Sequence, residues 1–218
     1  MAQDLTAALT VIDLASVAVF AVTGALVASR KQMDIVAFMW LGTVTGIGGG
    51  TVRDLLLGLP VFWVRQPVYV GVSLLAAIAV YFTAHLIYAG WSRYRVVLWL
   101  DAVGLALVSV AGAAKGLDAG AGPLVAIVMG VITAAFGGII RDILGQEPSI
   151  LLRREVYVTA AVAGALAYTE SVGLVLERDL AATLGFCAGF GVRSFAILFK
   201  WALPAYRPRP GRGMDEVG

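Results

Sequence analysis

Apolar residues in this chain gather into long runs at about 10–29, 35–57, 68–89, 96–114, 123–145, 156–176 and 180–203. Each is close to the ~20 residues a helix needs to cross the hydrocarbon of a bilayer. The connections between runs are short, so the pattern predicts an all-α transmembrane protein of seven helices, with residues 1–218 forming a single membrane domain. The pattern also repeats. Asp13, Gly24, Gly42, Thr45, Gly49, Gly50, Arg53, Asp54, Pro60, Arg65 and Tyr69 recur 88 positions later, without a gap. Their counterparts are Asp101, Gly112, Gly130, Thr133, Gly137, Gly138, Arg141, Asp142, Pro148, Arg153 and Tyr157. One copy therefore occupies about 10–89 and the other about 96–176, followed by a seventh helix at about 180–203 and a tail at 204–218. Each copy holds three spans, an odd number, so the second is expected to enter the membrane inverted relative to the first, a 3+3 arrangement with one helix added.

Composition agrees with lipid as the solvent. Hydrophobic residues make up 60% of the chain and charged ones 14%, against the roughly 25% charged of a soluble domain. The small net charge of +2 hides an asymmetry. Arg30, Lys31, Arg93, Arg95, Arg153, Arg154, Lys200, Arg207, Arg209 and Arg212 fall at alternate ends of the runs, facing only Arg65, Lys115 and Arg178 on the other side. Positive residues stay inside, so the N-terminus is expected outside and the C-terminus cytoplasmic, in the cell (inner) membrane. The basic tail then reads as an anchor on anionic lipid, and nucleic acid is not an expected partner. The first run, preceded by Asp4 and no basic stretch, reads as a retained helix.

Polar residues inside the runs carry the candidate chemistry. Gly48, Gly49 and Gly50, matched by Gly137 and Gly138, weaken their helices by roughly 1 kcal/mol each relative to alanine. They are expected to bend or interrupt the second helix of each copy and free carbonyls toward a water-filled path, with close helix packing as the alternative. Arg53, Asp54, Arg141 and Asp142 lie where charge is costly and faces a cavity or a partner. Matching depth pairs Asp13 with Arg53 and Asp101 with Arg141 as structural clamps, which leaves Asp54 and Asp142 to attract cations at the two mouths. Asp13, Ser16, Thr23 and Gly24 share one face of the first helix, answered by Asp101, Gly104, Ala111 and Gly112, with Phe20 and Val108 interrupting the two stripes. Ser16 and Thr133 join the glycines as candidate path residues. Arg193 lies in the seventh run and must turn toward protein or water. Single residues of cysteine and histidine, Cys187 and His85, and the lack of HExxH, GxSxG or GxxxxGK[ST] patterns offer nothing to an enzyme, a metal or a cofactor.

The paired motifs GGG-x-x-R-D at 48–54 and GG-x-x-R-D at 137–142, in a duplicated seven-run chain, resemble the prokaryotic members of the trimeric intracellular cation (TRIC) channel family. The resemblance covers about residues 10–203. It implies a homotrimer whose every protomer holds its own pore, lined by the second and fifth helices, with potassium as the main permeant ion and membrane lipid around it. The same domain family is also described as a bacterial glycine transporter, so a carrier of glycine or another small amino acid is the alternative. No filter sequence such as TVGYG occurs, and discrimination of K⁺ from Na⁺ is expected to be modest.

Overall fold

The computed structural model describes residues 2–85, 92–148, 156–174 and 176–204, leaving aside the side chains of residues 2–10 and 93. The apolar runs become α1 (Ala2–Arg30), α2 (Ile35–Leu56), α4 (Val68–Thr83), α5 (Arg93–Asp118), α6 (Pro123–Leu144), α7 (Val158–Gly173) and α8 (Arg178–Phe199). A one-turn helix, α3 (Phe62–Arg65), stands between α2 and α4 and was not legible in the hydropathy. Among the described residues, five helices are long and apolar enough to cross a membrane: α1 from Val11, α2, α5, α6 and α8. Of the seven spans expected, five have that length, and α4 and α7 have 16 residues each.

Helix ends follow local chemistry, and the chemistry is shared between copies. Asp34 caps α2 by accepting from the Ala37 amide at 2.8 Å, while its counterpart, Gly122, hands over to Pro123 at the first position of α6. Beyond α2 the Leu59 amide donates to the Asp54 carbonyl, and beyond α6 the Glu147 amide donates to that of Asp142. Both closures turn through a left-handed residue at the same repeat position, Gly58 (φ 65°) and Gln146 (φ 50°). The ends of α1 and α5 repeat the device at Gln32 (φ 55°) and Gly120 (φ 79°). The duplication therefore extends from residues into backbone dihedrals.

The copies interlock: α1 packs on α5 and α2 on α6, besides the neighbours each helix has in its own copy. The glycine runs serve this contact, and the expected interruption does not occur: α2 and α6 run as unbroken α-helices through Gly48, Gly49, Gly50, Gly137 and Gly138. A Cβ on Gly49 would strike the Thr133 carbonyl, and one on Gly137 would stand 2.8 Å from the Thr45 carbonyl. Close packing through small residues leaves the glycine runs inside continuous helix, which in lipid outweighs the weak helix propensity of glycine. The added helix α8 lies on α7 and α5. Gly185 and Gly189 press its small-residue face against Gly164 and Ala160.

Candidate functional site

The sequence-predicted charges come together in two clusters, one per copy. In the second copy, Arg141 reaches three partners. Its Nη1 donates to Asp101 Oδ1 at 2.6 Å and to Thr23 Oγ1 at 3.2 Å, and its Nε and Nη2 donate to Asp142 Oδ1 at 2.9 Å. Arg141 and Asp101 lie wholly inside the protein, 1% and 0% exposed. In the first copy, Arg53 turns to its own neighbour: Nε and Nη2 both lie 2.8 Å from Asp54 Oδ1. The guanidinium also sits 5.8 Å from the centre of the Phe62 ring.

Two expectations are corrected here. Asp13 and Arg53 do not form the ion pair anticipated from depth; Asp13 has no ion-pair partner within 4 Å among the described residues. Successive helix positions point about 100° apart, yet the long Arg53 side chain curls back far enough to meet Asp54. Nor do Asp54 and Asp142 stand free at two mouths. Both are buried; Asp54 accepts from Arg53 through one oxygen and from the Phe62 amide, at 2.9 Å, through the other. That bond fastens α3 onto the end of α2. Trp63 adds a second fastening, its indole N–H donating to Thr51 Oγ1 at 2.9 Å.

What the first copy does with its spare carboxylate is to line a cavity. Asp13, Ser16, Gly46, Gly50, Arg53, Phe62, Val108 and Thr133 enclose a space of about 20 Å³ among α1, α2, α3, α5 and α6. That is room for roughly one water molecule. Ser16 Oγ donates to the Ile12 carbonyl and Thr133 Oγ1 to the Met129 carbonyl, both at 2.6 Å, so each hydroxyl spends its hydrogen on its own helix and keeps its lone pairs. Of the candidate path residues, Ser16, Thr133 and Gly50 border this space. Gly49 and Gly137 lie in the α2–α6 contact, Gly48 abuts Ile140, and Gly138 faces the Tyr157 hydroxyl.

Among the described residues, a ring occupies the corresponding region of the second copy. Phe20, the repeat counterpart of Val108, lays its ring 2.8 Å from where a Cβ on Gly104 would be, and Gly104 is the counterpart of Ser16. Tyr157, buried, bonds to the Ala134 carbonyl at 3.3 Å. Its ring takes the guanidinium of Arg193 at 5.3 Å, the contact the sequence left unnamed for that buried cation. The outer ties are more exposed: Arg30 and Lys31 of the first copy approach Glu147 of the second at 3.4 and 3.6 Å, and Arg178 of α8 bonds Asp118 at 2.7 Å.

Known proteins resemble this chain in sequence and fold. Residues 10–85 and 98–170 match the family model described as "Glycine transporter", one stretch on each copy. The UPF0126 inner membrane protein YadS of Escherichia coli K12 is 38% identical over 217 residues, 95% of this chain and 97% of its own. The UPF0126 membrane protein YvgT of Bacillus subtilis is 35% identical over 85% of this chain and 90% of its own. Among solved structures, the TRIC trimeric intracellular cation channel orthologue from Rhodobacter sphaeroides has a TM-score of 0.85 and 51% identity, covering 89% of this chain and 99% of that one. A prokaryotic TRIC channel in 0.5 M KCl has a TM-score of 0.82 at 26% identity, covering 91% and 100%. With the duplicated glycine and Arg-Asp motifs at the centre of the shared fold, the chain belongs to the prokaryotic TRIC family, membrane transport proteins and not enzymes.

Proposed function

We propose that this protein is a monovalent cation channel, with potassium as its main permeant ion, built as a homotrimer in which each protomer holds its own path. One observation carries the reading. Asp13, a carboxylate with no ion-pair partner among the described residues, faces a small cavity between the two copies. It does so in a chain 51% identical to a protein described as a trimeric intracellular cation channel orthologue.

The chemistry suits a cation. Arg53 is neutralised by Asp54, so Asp13 sets the sign of the cavity. The oxygens of Ser16 and Thr133 stand ready to replace part of a hydration shell. Because α2 and α6 keep their carbonyls bonded, selection rests on side-chain oxygens and stays modest between K⁺ and Na⁺. A cavity that takes about one water is too narrow for a hydrated ion, so conduction requires α2 and α6 to part around Gly49 and Gly137, and Phe20 with the Arg141 cluster to yield. Gly48, Gly50 and Gly138 then serve the path by leaving room for that movement, and Asp54 and Asp142 serve it indirectly, by holding their arginines. The same reading places the copies inverted in the membrane, the N-terminus and the Asp13 cavity outside, the C-terminus and the Arg141 cluster cytoplasmic.

The test is reconstitution in planar bilayers under a KCl gradient. Unitary currents reversing near the K⁺ equilibrium potential, with cation over anion preference lowered by Asp13→Asn, are expected. Currents of unchanged selectivity in that variant would remove Asp13 from the path. The description of the family as a glycine transporter favours a second reading, an amino-acid carrier. Saturable glycine counterflow in proteoliposomes, with silence in the bilayer, would establish it.

A further inference from the structure

Of the described residues that line the Asp13 cavity, Phe62 alone stands on an element too short to span a membrane. The four residues of α3 rise only about 6 Å. Three neighbours fix the Phe62 ring. A Cβ on Gly50 would stand 2.7 Å from it, so glycine is what lets the ring lie against α2. The Arg53 guanidinium lies 5.8 Å from its centre, and Tyr69, buried at the start of α4, meets it edge to face at 4.7 Å. Two hydrogen bonds then fasten the turn, the Phe62 amide donating to Asp54 and the Trp63 indole to Thr51, each at 2.9 Å. No residue of α3 is itself buried, and Val64 is 62% exposed. The second copy's sequence carries neither the ring, the indole nor the hydroxyl: 88 positions on, Phe62, Trp63 and Thr51 are Ile150, Leu151 and Ile139.

We infer that α3 is a lid on the Asp13 cavity, with Phe62 as its closing ring, and that cations enter when this turn lifts from α2. The inference rests on the channel reading above and gives that path a gated entrance. A phenyl ring beside Asp13 presents apolar carbon where an entering ion needs oxygen or water, and apolar constrictions of this kind gate by excluding water. Lifting α3 displaces no membrane span, and a turn with no buried residue opens at a lower free energy than helices packed along their length. The chain stays pinned on both sides, by the left-handed turn at Gly58 and by Pro67 at the start of α4. Asp54 joins the lid to the charge cluster, one oxygen holding Arg53 and the other the Phe62 amide. The bond from Trp63 to Thr51 is different in kind: neither residue lines the cavity, so its strength sets how often the lid opens and leaves the open path unchanged.

Access and current, measured on the full-length protein, test the lid separately. Ser16→Cys places a thiol in the cavity, and Cys187→Ala removes the exposed native one. The rate at which a small cationic methanethiosulfonate labels this parent reports how often the cavity is open. Adding Thr51→Val takes away the indole's acceptor and should speed labelling about fivefold, the worth of one neutral hydrogen bond. Adding Phe62→Ala removes the ring and should speed it on the order of tenfold or more. Thr83→Val makes the same chemical change at the opposite end of α4, where the hydroxyl bonds only its own helix, and should leave the rate as it is. In planar bilayers Thr51→Val should raise the open probability by a similar factor at unchanged unitary conductance. Labelling no faster in Thr51→Val and Phe62→Ala than in the parent would overturn the lid, as would an equal acceleration by Thr83→Val. Faster labelling with unaltered open probability would show that α3 covers the cavity without controlling current, and would overturn the gate. If the wild type and every variant carry no current while labelling still responds, the lid stands and the channel reading fails.

Discussion

In the second copy Arg141 gathers Asp101, Asp142 and Thr23 around itself, whereas in the first Arg53 holds Asp54 alone, leans on the Phe62 ring and leaves Asp13 beside a cavity. The motif and helix ends are the same; the surroundings are not. Two exchanges account for the difference. Thr23, which helps hold Arg141, has Ala111 as its counterpart, so nothing from the second copy performs that service for Arg53. Phe20 fills the second copy's version of the cavity, while Val108, four carbons leaner, leaves the first copy's version open. A duplicated ion cluster can thus be a structural tie in one half and a functional surface in the other.

The comparison can be broken by mutation, and the largest effect is expected at the tie. Asp101→Asn leaves Arg141 short of a charge partner inside the protein and should cost about 3–5 kcal/mol, read as a fall in the thermal unfolding temperature in detergent. Asp13→Asn should cost under about 1 kcal/mol in the same assay, since it breaks no ion pair among the described residues. Equal losses would mean that the copies do not differ as described. Next comes the α2–α6 contact, where Gly49→Ala pushes a methyl into the Thr133 carbonyl and should cost about 1–3 kcal/mol. Gly71→Ala, with nothing within 4 Å of its added carbon, should instead stabilise α4 by up to about 1 kcal/mol. A smaller change, Thr23→Ala, gives the second copy the residue of the first; losing one bond to a charged group should cost about 1.5 kcal/mol by the same melts. The smallest effect on stability, below about 1 kcal/mol, is expected for Val108→Phe, which should fill the Asp13 cavity as Phe20 fills its counterpart. Currents in planar bilayers should then fall steeply, and undiminished currents would place the path elsewhere.

Much of this was legible in the residues because it is local or periodic. Helix positions followed from the apolar runs, and the register of 88 brought Arg141 and Asp101 to one depth before any coordinates. Other features depend on contacts that one dimension does not contain. Whether a glycine run breaks a helix or admits a neighbour is decided by what lies across it, and Gly49 meets Thr133 from the other copy. Arg53 chose Asp54 because α3 folds back to place Phe62 over the guanidinium and its amide on the carboxylate. The four residues of α3 are too few for a periodic signal. The exchanges of Thr23 for Ala111 and Phe20 for Val108 stood in plain view as flaws in the polar stripes, and their meaning depended on knowing what faced them.

The left-handed turns keep a record of history. At one repeat position the first copy has Gly58 and the second Gln146; at the other, the first has Gln32 and the second Gly120. A glutamine in that conformation is disfavoured by about 1–2 kcal/mol, and each copy carries one. The halves differ in opposite senses at their two hinges, each holding glutamine where the other holds glycine, and both keep the bend. Descent here conserves the path of the chain more strictly than the amino acid that first made the path comfortable, and relatives of this protein should be aligned by their bends before their letters.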